Sequence, residues 1–180
     1  MEIIALFGGS FDPPHIGHEA VVKALLDLDF LDGVVIMPTS LNPFKSTSHA
    51  SPEQRFLWLK EIFSNEKKVI VDDFEVVQNR QVPSIESVKY LLKTYKKIYL
   101  VVGADILKDL GKWHKYDELK KLVTFIVAHR DKIEVPKEFL DLKIDETISS
   151  SDLRKQMDES KLNIKCAQEI AYKYKENNEK

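Results

Sequence analysis

Ile3-Ile4-Ala5-Leu6-Phe7-Gly8-Gly9-Ser10-Phe11-Asp12-Pro13-Pro14-His15-Ile16-Gly17-His18 opens on a short apolar run, breaks at a glycine pair and two prolines, and leads into a helical pattern. That pattern places Ala20, Val21, Ala24, Leu25 and Leu28 on one face. Strand, glycine-rich turn and helix in that order are the start of an α/β unit. The alternation continues outward from it. Further apolar, β-branched runs stand at Gly33–Met37, Val69–Val71, Ile98–Val102 and Val123–Ala128, with room for helices between them. Phe56, Leu59, Ile62 and Phe63 share one helical face, and Val88, Leu91, Leu92 and Tyr95 another. Parallel strands need right-handed crossovers, so the expected product is an α/β fold with a doubly wound parallel sheet, binding ligands at the carboxyl ends of its strands. Function should then lie after Phe7, Met37 and Val102. A last short strand is expected near Leu142–Ile144, then closing helices over Ser149–Asp158 and Asn163–Asn177. The second of these would carry Ile164, Ala167, Ile170, Ala171 and Tyr174 on its apolar face, and the terminal Glu-Asn-Asn-Glu-Lys should fray.

With 180 residues, 43% of them hydrophobic, the chain can close one core of ordinary size, so residues 1–180 are expected to form a single domain with helices 149–177 packed on it. Lys plus Arg number 27 against 29 Asp plus Glu, and the net charge of −2 supplies no basic field for nucleic acid or an anionic membrane. Any phosphate must be held by a local site. The single Cys166 cannot form an internal disulfide, and no basic leader precedes Ile3, which together give a cytoplasmic reading. Charged residues interrupt every apolar run well short of the roughly 20 residues that cross a bilayer. The sequence leaves a homo-oligomer open.

The glycine-rich turn is where an α/β fold places phosphate. Gly8 and Gly9 admit close approach of backbone N–H groups to an anion, and a helix beginning near His15 aims unsatisfied N–H donors at the same spot. His15 and His18 lie three apart in the first turn and project from one face, so two imidazoles can meet one phosphate chain. Gly17 between them removes a side chain that would crowd an incoming nucleotide. Far along the chain, Ile148-Ser149-Ser150-Ser151-Asp152-Leu153-Arg154 offers a second clamp. Its hydroxyls and N–H groups stand at a helix start, and Arg154 can lie over the same end with a planar fork of donors.

Residues 8–18 resemble the signature of the His-x-Gly-His nucleotidyltransferase superfamily, and the Gly-Ser-Phe-Asp-Pro-Pro-His form is similar to bacterial nicotinate-nucleotide adenylyltransferases. Ile148–Arg154 resembles that family's Ile-Ser-Ser-Thr-x-Ile-Arg. The resemblance implies a Rossmann-like nucleotidyltransferase fold with ATP and nicotinate mononucleotide as substrates and Mg²⁺ arriving with the ATP. It implies catalytic roles for His15, His18, Lys45 and Arg154, and nucleotide contacts from Gly8, Gly9, Ser10, Phe11, Gly17, Gly103, Asp105, Ser149, Ser150 and Ser151. For the pyridine nucleotide it points to Ser84, Trp113 and Arg130. In the family the Gly-x-Asp matched by Gly103-Ala104-Asp105 lies beside the adenosine; an N-capping Asp105 is an equal alternative. Trp113 corresponds to a tryptophan that stacks on the pyridine ring. Two departures stand out: Asn42-Pro43-Phe44-Lys45 carries phenylalanine where the family has histidine, and Pro83-Ser84-Ile85-Glu86-Ser87 keeps only the Pro-Ser of a Pro-Ser-Tyr-Thr run.

No side chain is placed as a covalent nucleophile beside its base, and His49, His114 and His129 have no metal-ligand spacing. The chemistry expected is direct attack of the mononucleotide phosphate on the α-phosphorus of ATP, making deamido-NAD and pyrophosphate. The alternatives are a sister nucleotidyltransferase, such as one acting on phosphopantetheine, and a non-catalytic nucleotide sensor. Class I aminoacyl-tRNA synthetases share a related His-Ile-Gly-His, but this chain has no Lys-Met-Ser-Lys-Ser motif.

Overall fold

In the computed structural model, which describes residues 1–41, 48–130, 132–145 and 148–178, six strands pair side by side in the order β3-β2-β1-β4-β5-β6, every neighbouring pair parallel. They are β1 (Ile3–Gly9), β2 (Gly33–Pro38), β3 (Val69–Val71), β4 (Lys97–Gly103), β5 (Val123–His129) and β6 (Leu140–Lys143). The helices are α1 (Ile16–Leu26), α2 (Pro52–Ile62), α3 (Phe74–Val77), α4 (Ser84–Leu91), α5 (Tyr116–Leu122), α6 (Ser150–Lys155) and α7 (Ala167–Asn178), with a 3₁₀ segment at Ala104–Lys112. This strand order reverses between β1 and β4, the switch point at which a doubly wound sheet opens a crevice.

The period-two alternation of the strands divides the interior in two. Ala5, Val34, Ile36, Val101 and Ile126 face one layer, completed by Val22 and Leu25 of α1, Trp58 and Leu59 of α2, and Ile170 and Tyr174 of α7. Ile4, Leu6, Val35, Met37, Leu100 and Val127 face the other, covered by Ile85, Val88 and Leu91 of α4 and Leu119 of α5. Both faces being covered, β4 is buried from Ile98 to Val102 after the exposed Lys97, and β2 is buried at every position.

Four sequence expectations need correction. The face of α2 is wider than expected: Leu59, Ile62 and Phe63 are buried, Phe56 is half-buried, and Arg55 and Trp58 are buried beside them. The last strand begins two residues earlier, with Leu142 opposite Ala128, although the N–H of Ile144 still donates to the His129 carbonyl at 2.8 Å. Helix α6 stops at Lys155 because Gln156 is extended (φ −139°, ψ 100°). Helix α7 starts at Ala167 after a turn in which Cys166 N–H bonds the Asn163 carbonyl, so Ile164 is 92% exposed and not part of the apolar face. Among the described residues no helix is long and apolar enough to cross a membrane.

Candidate active site

The carboxyl ends of β1, β4 and β5 and the start of α6 surround a cavity of about 410 Å³. His15, Gly17 and His18 form one wall, Gly103 and Asp105 another, and His129, Arg130, Ser149 and Ser150 complete it. A wider hollow of about 650 Å³ lies along α6, among Asp152, Asp158, Glu159 and Lys161, and lacks both the imidazoles and the glycine-rich backbone.

The two histidines are fixed by the helix start they belong to. His15 is the N-cap of α1, its Nδ1 accepting the N–H of Gly17 at 3.1 Å, and His18 reaches back so that its Nδ1 accepts the N–H of His15 at 3.1 Å. This reciprocal arrangement is a capping box built from two imidazoles. Because each Nδ1 accepts, each neutral ring carries its proton on Nε2, leaving Nε2–H as the donor for a ligand. The rings stack with centroids 3.7 Å apart, and Phe11 packs edge-on to His18 at 4.8 Å. Burial, then the charge of Arg130, lowers the His15 pKa to about 4; burial, then His15, holds His18 well below its ordinary value. Both therefore meet an incoming anion as neutral donors. A Cβ on Gly17 would stand 2.9 Å from the His15 ring. Glycine is required here because the imidazole occupies that space, a nearer cause than crowding of a nucleotide.

The late motif is joined directly to the first. Ser149 caps α6, its hydroxyl accepting the N–H of Asp152 at 3.1 Å. Ser150 Oγ donates to the Pro13 carbonyl at 2.9 Å, and Arg154 donates to the Asp12 carbonyl and to Ser151 Oγ at 3.0 Å.

Three residues that sequence reasoning left without a role hold this loop from behind. The buried Asp12 carboxylate accepts the N–H groups of His49 (2.9 Å) and Ala50 (3.1 Å) and the hydroxyl of Tyr174 from α7. Burial pushes its carboxyl up, but those donors outweigh it and the net pKa falls below the usual carboxylate value. Arg55, 1% exposed, donates to the carbonyls of Ser10, Thr39, Ser40 and Ala50. Its position was legible: Arg55, Leu59 and Ile62 are spaced i, i+4, i+7 after the capping Ser51.

The remaining expected residues divide. Gly103 and Asp105 reach the cavity; the 3₁₀ segment is capped at Gly103, so Asp105 is exposed in its first turn and is not the N-cap. Arg130 is exposed at the cavity wall within electrostatic reach of His15. Gly8 and Gly9 end β1, and Phe11 is buried beneath His18 with left-handed backbone (φ 49°). Trp113 and Ser84 do not line the cavity, and neither do Gly8, Gly9, Ser10, Phe11, Ser151 or Arg154. Trp113 packs against the α4–α5 layer with a buried Nε1–H that meets no acceptor among the described residues. Ser84 begins α4, which Ser87 ties to α3 by donating to Glu75 Oε1 at 2.6 Å. Phe44 and Lys45 lie outside the described residues. Among the described residues no group of three or more His, Cys, Asp or Glu is arranged to hold a metal ion.

A family model described as cytidylyltransferase-like matches residues 6–156. A relative from Sulfurimonas denitrificans, named probable nicotinate-nucleotide adenylyltransferase, is 60% identical over 176 residues, which cover 98% of this chain and 97% of the relative. One of the same name from Campylobacter jejuni is 53% identical over 153 residues, 84% of each chain. Among solved structures, Plasmodium falciparum nicotinic acid mononucleotide adenylyltransferase complexed with NaAD superposes with a TM-score of 0.75 at 21% identity, over 99% of this chain and 97% of that one. That likeness is of fold: a Rossmann-like sheet with helices on both faces.

Proposed function

The chain belongs to the cytidylyltransferase-like family, and on that premise we propose that it is a nicotinate-nucleotide adenylyltransferase, a nucleotidyltransferase of NAD biosynthesis. A phosphate oxygen of nicotinate mononucleotide bonds to the α-phosphorus of ATP, the bond from that phosphorus to the bridging oxygen of the β-phosphate breaks, and deamido-NAD and pyrophosphate result. The observation that carries the chemistry is the pair of imidazoles, each with Nδ1 accepting a backbone N–H and Nε2 left to meet a ligand, at a helix start on the switch-point cavity.

The attacking phosphate is already an anion and needs no general base. The protein's task is to position two polyanions and to stabilise charge developing on the leaving group. His15 and His18 are assigned to the phosphate chain, Arg154 and Lys45 to the departing phosphates, and Gly8, Gly9, Ser10, Phe11, Gly17 and Ser149–Ser151 to close backbone and hydroxyl contacts. Gly103 and Asp105 are assigned to the adenosine, and Ser84, Trp113 and Arg130 to the pyridine nucleotide. Mg²⁺ enters as part of the ATP substrate. The proposed unit is the whole of 1–180, acting in the cytoplasm, in keeping with a single cysteine that is buried. Parallel assays with nicotinate mononucleotide, its amide counterpart and phosphopantetheine test the substrate. Fastest pyrophosphate release with the acid is expected, and a preference for phosphopantetheine would refute the assignment.

A further inference from the structure

We infer that Arg55 is a positioning residue, which by gripping the Ser10 carbonyl turns the Ser10–Phe11 peptide so that the Phe11 N–H becomes a phosphate donor. The inference rests on reading the cavity as a nucleotide-phosphate site. Arg55 is fully buried in α2, and four of its N–H donors are spent on main-chain carbonyls of three segments: Ser10 after β1, Thr39 and Ser40 after β2, and Ala50 before α2. Among the described residues no carboxylate lies within 4 Å of its guanidinium, so orientation of carbonyls is what its geometry accomplishes. Burial lowers its pKa from the ordinary arginine value, and the Asp12 charge nearby opposes that fall.

The Ser10–Phe11 peptide is trans, and a trans peptide directs its N–H opposite to its C=O. With the carbonyl held by Arg55, the Phe11 N–H faces away from α2. Among the described residues it meets no acceptor, although Phe11 is 3% exposed overall. A main-chain donor in so covered a residue calls for a partner. Phe11 also takes left-handed backbone, which a non-glycine residue keeps only where surroundings impose it. The ring beneath His18 and the guanidinium behind Ser10 supply that constraint, and a phosphate oxygen at the His15–His18 pair supplies the acceptor. Lysine keeps the charge but offers three donors on one atom, and cannot reach carbonyls of three segments.

The test labels the full chain with [¹⁵N]phenylalanine and uses inorganic pyrophosphate as probe. The Phe11 amide is expected to move in the parent, with a midpoint raised about tenfold or more in Arg55→Lys, read where circular dichroism shows that variant folded. An unresponsive Phe11 amide in the parent, or an unchanged midpoint in the folded variant, would overturn the inference. Should Arg55→Lys not fold, [¹⁵N]arginine labelling of the parent decides: the Arg55 Nε–H must move with the same midpoint as the Phe11 amide, and a stationary Arg55 signal beside a moving Phe11 overturns the role. The probe binds without turnover. A parent that binds pyrophosphate at Phe11, with the expected Arg55 dependence, yet adenylylates no pyridine mononucleotide would therefore remove the proposed reaction and sustain the role of Arg55.

Discussion

Ser150 Oγ donates to the carbonyl of Pro13 at 2.9 Å across 137 residues of sequence, so the two motifs at the ends of the chain are one structure. Arg154 repeats the connection one residue away, at the Asp12 carbonyl. The start of α6 is thereby set against the loop that carries the histidines.

That junction makes Arg154→Lys a severe change. A single ammonium cannot bond the Asp12 carbonyl and Ser151 Oγ while also meeting leaving phosphates. Pyrophosphate formation is expected to fall by about a hundredfold, a loss of roughly 2.7 kcal/mol in transition-state stabilisation. Steady-state rates within about threefold of the parent would remove Arg154 from the clamp.

His18→Ala deletes both a phosphate donor and the acceptor for the His15 N–H. Loss of a donor that acts on developing charge lowers turnover by about 10²–10³, while loss of half the capping box costs roughly 0.5–2 kcal/mol of stability. Saturated turnover should fall far more than ATP affinity. Equal effects on both would show that His18 only binds.

The histidine pair also predicts a pH dependence. With the folded pKa of His15 lowered to about 4 from an ordinary 6.5, the unfolded chain binds the extra proton, so this contribution to stability is complete above about 6.5 and is lost as pH falls through about 4. Imidazole ¹⁵N spectra of the free protein at pH 6 should show both rings neutral with the proton on Nε2. A doubly protonated ring at that pH would contradict the arrangement.

Glu75 acts with the opposite sign. Burial pushes its carboxyl up to about 7, against the opposing hydroxyl of Ser87, so its contribution to stability is present below the unfolded value near 4.5 and is lost as pH rises through about 7. Glu75→Gln should raise the melting temperature at pH 8 relative to the parent and change it little at pH 5. An equal shift at both values would show that Glu75 does not titrate there.

The sheet was legible because buried parallel strands need continuous apolar runs, and β1 through β5 each kept theirs. His15, His18 and Ser149–Arg154 were legible because the loop and cap that place them are local. Asp12, Arg55 and Tyr174 act through contacts between distant segments, and nothing near Tyr174 in sequence announces a carboxylate at Asp12. The boundary errors have a similar origin. Ile164 fits the helical period of α7, yet the Asn163–Cys166 turn comes first and leaves it in solvent. Trp113 gained a stacking role from resemblance alone, and its position beside the α4–α5 layer depends on the packing of the 3₁₀ segment.

Direct adenylyl transfer is tested most directly by following the label of [α-³²P]ATP in the purified protein with Mg²⁺ and nicotinate mononucleotide. A single displacement predicts that label appears in the dinucleotide, that none stays on denatured protein, and that ATP–pyrophosphate exchange is absent until the mononucleotide is added. Label retained on the protein, exchange without the mononucleotide, or ATP bound and never consumed would each contradict direct adenylyl transfer at this site.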